Sequence, residues 1–308
     1  MKFDLPIDVI LPQLVERLST YGRVILQAPP GAGKTTRVPL AILHSGICSG
    51  KILMLEPRRL AAIAAAERMA ETLGEPIGAT VGFRIRGQTK IGPNTRIEVL
   101  TEGILTRMLQ SDPELPGVSA VLFDEFHERS LNADLGLALS WEVRETLRSD
   151  LMLVVMSATL DSGPVAKLLN NAPIVTSEGR SYPVEIIHLT RPRAKEASLE
   201  IGISDLILKA LKETDGDVLV FLPGEREINK ASAQLKNQLP KSCVVRPLFG
   251  NLSYSNQKLA ISPDSRNRKI ILATAIAETS LTIEGIHAVV DCGLSLFTPQ
   301  PDRKSVVV

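Results

Sequence analysis

Short runs of aliphatic residues recur along the first half of the chain, and each is followed by a polar stretch and then by apolar positions at helical spacing. The aliphatic runs lie at residues 24–26, 52–55, 96–100, 120–123 and 151–156, and helix-like stretches at 61–73, 103–110 and 132–149. A strand covered on both faces reads as a continuous aliphatic run. Such strands alternating with helices predict an α/β fold with a parallel sheet and helices on both of its faces.

The pattern is interrupted between residues 172 and 183, where Pro, Ser and Gly are frequent, and it then resumes. The second half predicts helices at residues 203–212 and 225–239, and strands at 217–222, 243–247, 270–273 and 288–292. We therefore predict two α/β domains, at residues 1–178 and 179–308. Neither an internal repeat nor a low-complexity segment is visible in the sequence.

The charge of the chain is nearly balanced. Its 308 residues include 35 Lys and Arg against 34 Asp and Glu, which gives a formal net charge of +1. A chain without a global basic field contacts nucleic acid only through local clusters of charge. This balance argues against a protein that simply coats DNA, but it is compatible with an enzyme that grips a strand in one channel.

Cysteine and histidine spacing does not indicate a metal centre. Cys48, Cys243 and Cys292 form no C-x-x-C pair, and the four histidines show no ligand spacing. We therefore expect a reducing, cytoplasmic compartment and no structural zinc. We also expect no signal peptide and no membrane span, because the chain has no apolar stretch of 18 residues and no hydrophobic segment near Met1.

A loop that contains two glycines directly follows the first aliphatic run. Residues 28–35 read A-P-P-G-A-G-K-T, which matches the phosphate-loop pattern G-x-x-x-x-G-K-[ST] except at Ala28. Glycines suit this loop because backbone N–H groups must approach phosphate oxygens closely, with Lys34 reaching the β- and γ-phosphates and Thr35 a Mg²⁺ ion. The alternative is a turn with a solvated lysine. The residues predicted to bind the nucleotide here are Pro30, Gly31, Ala32, Gly33, Lys34, Thr35 and Thr36.

Two adjacent carboxylates follow the fourth aliphatic run. Asp124 and Glu125 come directly after residues 120–123, as in a Walker-B arrangement. Phosphoryl transfer requires mainly positioning and charge neutralisation. We predict a metal site formed by Thr35, Asp124 and Glu125, with Lys34, Asp124 and Glu125 as the catalytic residues and Glu125 directing the attacking water. The alternative for Asp124 is a capping residue at the end of a strand.

The run from Asp124 to Ser130, D-E-F-H-E-R-S, resembles the DEAH box of superfamily 2 helicases, and specifically the bacterial HrpB-type members. Phe126 stands where the family has Ala. The resemblance covers essentially the whole chain, because further motifs follow in family order. It implies two tandem RecA-like P-loop domains and an ATP-dependent helicase with ATP and Mg²⁺ as cofactors. It also implies single-stranded RNA or DNA as the partner, and we expect a monomer.

Further motifs of the first domain resemble those that hold nucleic acid in the family. Residues 57–62, P-R-R-L-A-A, resemble motif Ia, and residues 101–105, T-E-G-I-L, resemble motif Ib. Guanidinium groups match phosphate oxygens in geometry. The alternatives are solvated arginines and a helix N-cap at Thr101. The resemblance predicts nucleic-acid contacts by Arg58, Arg59, Arg84, Thr101, Glu102 and Gly103.

Three features of the first domain acquire a role from the resemblance. Ser157 and Thr159 belong to S-A-T, which resembles motif III and would couple hydrolysis to strand movement. Arg68 occupies the position where the family stacks an arginine on the adenine base. His127 completes the DEAH box, and we expect it to belong to the nucleotide-binding residues and to hydrogen-bond at the interface with the second domain. An ordinary turn and a surface arginine are the alternatives for the first two features.

The second domain carries two family motifs. Residues 220–224 resemble motif IV, and residues 273–283, A-T-A-I-A-E-T-S-L-T-I, resemble motif V. The resemblance predicts that Thr274 contacts a nucleic-acid phosphate and Ser280 approaches the nucleotide. Ala275 replaces the usual asparagine. Motif VI, Q-R-x-G-R-x-G-R, is not found before Val308, so we expect a truncated second domain and poor ATP turnover by this chain alone.

These observations leave three classes of function open. The first is an ATP-driven motor that translocates along or unwinds RNA or DNA. The second is an ATP-gated nucleic-acid-binding module with little hydrolysis, which Ala275 and the missing motif VI favour. The third is a P-loop ATPase that acts on small molecules or proteins, against which the joint presence of motifs Ia, Ib, IV and V argues.

Overall fold

The fold is known from a computed structural model that describes residues 5–158, 162–178, 183–188, 199–236, 238–278 and 283–294. The chain divides into two compact units, one ending at Val184 and the other beginning at Glu185. Each unit is an α/β layer structure, as predicted. The predicted domain limit after residue 178 stays a prediction. The helices within the described ranges are each too short or too polar to span a lipid bilayer.

The first unit is built on an eight-stranded sheet. Its strands are β1 (Arg23–Gln27), β2 (Lys51–Glu56), β3 (Val81–Ile85), β4 (Gln88–Lys90), β5 (Ile97–Thr101), β6 (Val118–Phe123), β7 (Met152–Ser157) and β8 (Ile174–Thr176). Its helices are α1 (Leu11–Tyr21), α2 (Lys34–Ser45), α3 (Arg59–Leu73), α4 (Glu102–Ser111), α5 (Leu131–Thr146) and α6 (Gly163–Leu168). Two short 3-10 turns span Pro6–Val9 and Phe126–Glu128.

The order of the strands brings the predicted motifs to one edge of this sheet. The order is β4-β3-β5-β2-β6-β7-β1-β8, and every pair is parallel except β3 and β4. The carboxyl ends of β1, β2, β6 and β7 therefore lie side by side. Loops that leave the carboxyl ends of parallel strands form the ligand site in open α/β sheets.

Three strands of this sheet, β3, β4 and β8, were not predicted. Residues 88–90 of β4 are all exposed and polar, so they lack the aliphatic pattern, and they pair antiparallel with β3 through a turn at Gly87 (φ +79°). Strand β8 lies within the predicted interdomain break, where residues 174–176 pair with β1. All five strands that were predicted in this half are present.

The second unit has a four-stranded parallel sheet. Its elements are α7 (Leu199–Glu213), β9 (Asp217–Phe221), α8 (Glu225–Leu235), β10 (Cys243–Leu248), α9 (Tyr254–Ile261), β11 (Arg268–Ala273) and β12 (Ile286–Asp291). The strand order is β10-β11-β9-β12. All four predicted strands are present, whereas α9 was not predicted and α8 ends four residues before the predicted limit of 239.

Candidate nucleotide site and nucleic-acid surface

The glycine loop connects β1 to α2 and has the backbone geometry that its sequence predicts. Gly31 and Gly33 have φ values of +75° and +96°, in the left-handed region that favours glycine. A Cβ atom on Gly33 would lie 2.5 Å from Leu5 Cδ1. Helix α2 begins immediately at Lys34, so its unpaired N–H groups face the loop. Such a helix N-terminus favours an anion.

Lys34 is a buried cation that faces carboxylates. The residue is 4% exposed, and its Nζ lies 2.6 Å from Glu125 Oε1. Burial alone would lower the pKa of Lys34, but the nearby carboxylates of Asp124 and Glu125 outweigh burial and raise that pKa above its usual value. Lys34 therefore stays protonated and can bind an anionic group.

Thr35 and Asp124 meet across the two motifs. Strand β6 ends at Phe123 and delivers Asp124, whose backbone N–H donates to Leu55 O. The Thr35 hydroxyl donates to Asp124 Oδ2 at 2.5 Å. These hard oxygen atoms suit Mg²⁺, which is usually held by one or two protein groups together with waters and phosphates. Among the described residues, no cluster of three or more His, Cys, Asp or Glu side chains could form an all-protein metal cage.

Glu125 is a nearly buried carboxylate in the same cluster. It is 9% exposed and adopts a left-handed backbone conformation with φ +49°. Burial and then the charge of Asp124 raise the pKa of Glu125, while Lys34 and His127 partly oppose this rise. A carboxylate with a raised pKa accepts a proton more readily than an exposed one.

His127 contacts two residues of the first unit. Its Nδ1 accepts a hydrogen bond from the Ala158 backbone N–H at 3.3 Å, and its Nε2 lies 3.4 Å from Glu125 Oε2. Both partners lie in the first unit, and the predicted hydrogen bond at the interface with the second domain stays a prediction. The imidazole therefore links the acidic pair to the end of β7.

Glu56 is a site residue that the sequence analysis missed. It ends β2, is 1% exposed, and hydrogen-bonds the Asp124 side chain, while its Oε2 atom lacks a hydrogen-bond partner. Burial and then the charge of Asp124 raise the pKa of Glu56 well above its usual range. The sequence feature that could have identified it is an acidic residue directly after a continuous aliphatic run. Such a residue ends a buried strand at the edge of the sheet where ligands bind.

The two motifs predicted to hold nucleic acid are neighbours. Helices α3 and α4 begin directly after β2 and β5, which pair in parallel with Glu56 opposite Thr101. Arg58 is the N-cap residue of α3, and the side chain of Arg59 is exposed. Thr101 is the N-cap residue of α4, although no hydrogen bond from its side chain caps the helix, and Gly103 is exposed. The structure thus places two arginines beside a helix N-terminus on one surface.

The sequence profile of the DEAD/DEAH box helicase family matches residues 10–168, and that of the helicase conserved C-terminal domain matches residues 202–304. The chain belongs to the DEAD/DEAH box helicase family. This confirms the family resemblance and the tandem arrangement of two helicase domains.

Similar proteins support the HrpB-type assignment. The chain is 51% identical over 290 residues to the ATP-dependent RNA helicase HrpB of Escherichia coli, covering 94% of this chain and 36% of that protein. It is 36% identical to the ATP-dependent RNA helicase HrpA of Borreliella burgdorferi, covering 94% of the chain and 36% of that relative. The crystal structure of the E. coli DEAH/RHA helicase HrpB superposes with a TM-score of 0.87 at 49% identity, over 94% of this chain and 37% of that one. The chain thus spans about a third of the length of these relatives.

Two arginines of this helicase domain have internal partners. Arg84 lies on β3, and its Nη2 donates to Oε2 of the buried Glu98 at 3.0 Å. Arg68 lies on α3 with its side chain 60% exposed, 3.2 Å from Glu71. The predicted contact of Arg84 with nucleic acid and that of Arg68 with the adenine base stay predictions.

The remaining predicted residues belong to motifs III and V. Ser157 ends β7, and its carbonyl accepts a hydrogen bond from the Ala28 N–H at 3.0 Å, which ties this motif to the phosphate loop. Thr274 follows β11 and donates its N–H to Leu248 O at 3.1 Å. Thr159 and Ser280 lie outside the described residues, so their predicted roles stay predictions.

Proposed function

We propose that this chain is the ATP-binding part of a nucleic-acid-dependent ATPase that couples hydrolysis to translocation along, or unwinding of, RNA. One observation carries the proposal. The phosphate loop and the acidic pair meet through Lys34 to Glu125 at 2.6 Å and Thr35 to Asp124 at 2.5 Å. A cation, a hydroxyl and two carboxylates at one sheet edge form the set that phosphoryl transfer requires.

The residues of the site divide the work of hydrolysis. Backbone N–H groups from residue 31 to residue 36 and the Lys34 ammonium would hold the phosphates, with Pro30, which has no backbone N–H, shaping the loop. Thr35 and Asp124 would hold Mg²⁺, which neutralises charge on the phosphate oxygens when it is bound. Glu125 would orient the attacking water and accept its proton, and its raised pKa suits that role.

The nucleic-acid surface would bind the backbone of a single strand. Arg58 and Arg59 offer guanidinium groups to phosphates, and Thr101 to Gly103 add the N-terminus of α4. Thr274 of the second unit would add a further contact. Binding through phosphates is tolerant of sequence and sensitive to salt. The relatives are named RNA helicases, which favours RNA over DNA as the strand.

Two finer statements belong to the same proposal. We infer that the protein is a monomer, as the sequence analysis expects. We infer a cytoplasmic location, because the spacing of Cys48, Cys243 and Cys292 is typical of a chain in a reducing compartment.

Steady-state ATP hydrolysis tests the proposed function. The chain and its Glu125→Gln variant are assayed with single-stranded RNA, with single-stranded DNA and without polymer. We expect RNA to stimulate hydrolysis, and we expect Glu125→Gln to lower kcat by about 10²–10⁴-fold because general base catalysis is lost. Hydrolysis that neither polymer stimulates would contradict the proposed motor. Stimulation by DNA alone would show that the strand is DNA rather than RNA.

A further inference from the structure

Residues 125–130 contact the other motifs of the first unit one after another. Glu125 lies against Lys34 of the phosphate loop, and His127 accepts a hydrogen bond from Ala158 after β7. Two later residues of the segment contact the motifs of the proposed nucleic-acid surface. The Glu128 Oε2 atom lies 3.6 Å from Arg58 Nη2 at the start of α3, and the Ser130 hydroxyl donates to Glu102 at the start of α4. One short segment therefore touches both the nucleotide site and the nucleic-acid surface.

The backbone of this segment has a defined and strained shape. Glu125 and Arg129 both have φ values of +49°, and the 3-10 turn Phe126–Glu128 lies between them. Non-glycine residues in this region cost free energy and persist only where the surroundings hold them. Here Phe126 is 5% exposed and packs edge-on against Phe123, with ring centroids 6.2 Å apart. The core therefore holds the segment in one defined shape, which fixes Glu128 and Ser130 relative to Glu125.

Glu128 and Arg58 form the first link from this segment to the nucleic-acid surface. Their side chains are 18% and 27% exposed, so solvent screens the pair only in part. A carboxylate beside a guanidinium restricts its rotamers and thereby sets where it meets a phosphate. A shift of the turn at Glu128 changes the position of Arg58.

Ser130 forms the second link and has two roles at once. Its hydroxyl oxygen accepts a hydrogen bond from the Ala133 N–H at 2.9 Å and so caps α5, while its proton is donated to Glu102. Glu102 is the first residue of α4, next to Thr101 and Gly103. Ser130 thus joins the segment after the DEAH box to the helix N-terminus that is proposed to face the strand.

We propose that Glu128 and Ser130 are positioning residues that transmit the state of the nucleotide site to Arg58 and Glu102, and so make strand affinity depend on nucleotide. This inference rests on the proposed function. A rearrangement of Glu125 around a nucleotide would be passed along the turn through Glu128 and Ser130. If the nucleotide changes the affinity for the strand by some factor, the strand must change the affinity for the nucleotide by the same factor.

The test measures strand affinity with and without nucleotide. A fluorescently labelled single-stranded RNA is titrated with the full chain by anisotropy, in the presence or absence of Mg²⁺ and a non-hydrolysable ATP analogue. We expect nucleotide to change the strand Kd of the wild-type chain by about 10-fold. In Glu128→Gln and Ser130→Asp we expect that factor to fall to about 2-fold, while the affinity for a fluorescent nucleotide without RNA stays the same.

The variants are chosen to separate coupling from folding. Ser130→Asp retains an oxygen that caps α5 but cannot donate to Glu102, whereas Ser130→Thr retains both functions and should restore the wild-type factor. Asp134→Asn is the matched control for Glu128→Gln, because Asp134 pairs with Arg129 beside the same turn at 2.9 Å. This control should behave like the wild type.

The outcomes distinguish this inference from the proposed function. A wild-type chain that binds the strand in a nucleotide-dependent manner, with variants that retain the full factor, would overturn the roles of Glu128 and Ser130 and leave the function intact. A wild-type chain that does not bind the strand, or binds it independently of nucleotide, would overturn both. An equal loss of coupling in Asp134→Asn would also count against the specific links.

Discussion

Two buried lysines, one in each unit, have different partners. Lys269 on β11 is fully buried, and its Nζ donates to the backbone carbonyls of Ala260 at 3.1 Å and Ser262 at 2.9 Å, with Asp217 Oδ2 at 3.5 Å. Lys34 is 4% exposed and faces the carboxylate of Glu125 at 2.6 Å. Both are cations in places where an isolated charge would be costly.

The two lysines differ in the chemical groups that surround their ammonium groups. The carbonyls around Lys269 belong to the backbone at the end of α9, so its ammonium holds that helix to the sheet. The partners of Lys34 are side chains that a phosphate group can replace, and they belong to the proposed catalytic set. A buried charge that the backbone satisfies indicates a structural role, whereas one held among acidic side chains at a ligand edge indicates a functional site.

The largest expected effect of replacing Lys269 is on the free energy of unfolding. Lys269→Met would leave Asp217 Oδ2 and two carbonyls without the ammonium, and we expect the unfolding free energy of the second unit to fall by about 3–5 kcal/mol. Urea unfolding monitored by hydrogen exchange measures this loss for each unit separately. Lys212→Met, at an exposed position on α7, is the control and should change stability by less than about 0.5 kcal/mol. Equal results for both variants would refute the structural role.

Glu56 is a buried acid beside the carboxylates that face Lys34, so its ionisation tests how this site affects stability. Its pKa is raised in the folded chain by burial and then by Asp124, so it opposes folding as pH rises above the unfolded value of about 4.3. Glu56→Gln cannot ionise. We expect this variant to melt at a higher temperature than the wild type at pH 8, and the difference to shrink towards pH 4.5.

The control for this pH dependence is Glu71→Gln, which replaces an exposed carboxylate on α3. Thermal unfolding of the three proteins is followed by circular dichroism between pH 4.5 and pH 8. A difference between Glu56→Gln and the wild type that stays constant across this range, or that grows towards acid, would show that the folded chain does not raise the pKa of Glu56.

A smaller effect is expected at the arginines of the nucleic-acid surface. Each phosphate contact with a single strand contributes about 0.7 to the slope of log affinity against log salt. Replacing both Arg58 and Arg59 by Gln should therefore reduce the slope for single-stranded RNA by about 1.4. Arg107→Gln, on the exposed side of α4, is the control. An unchanged slope in the double variant would remove these arginines from the surface.

Much of the fold was predictable because strands covered on both faces have a strong local pattern. The five strands predicted in the first half and the four in the second are all present. Strand β4 was missed because Gln88 to Lys90 are exposed and polar, and its pairing depends on the hairpin turn at Gly87 rather than on hydrophobicity. Helix α9 was also missed.

The site was predictable where its chemistry is local in sequence. The glycine loop and the acidic pair each lie within one short motif, and each follows a strand as predicted. The position of Glu56 beside Asp124 depends on β2 pairing with β6 across the sheet, which no local pattern states. The hydrogen bond of His127 with Ala158 was not predicted for the same reason, because it depends on β7 lying next to β6.

Binding of a fluorescent ATP analogue with Mg²⁺ shows whether Lys34 is held for a nucleotide. The wild-type chain and Lys34→Met are titrated in parallel, with folding of both checked by circular dichroism. Loss of a buried charge contact costs about 2–5 kcal/mol, so we predict binding to the variant to be at least about 30-fold weaker. Equal affinity of the two proteins would contradict the account, because Lys34 would then be a structural cation like Lys269.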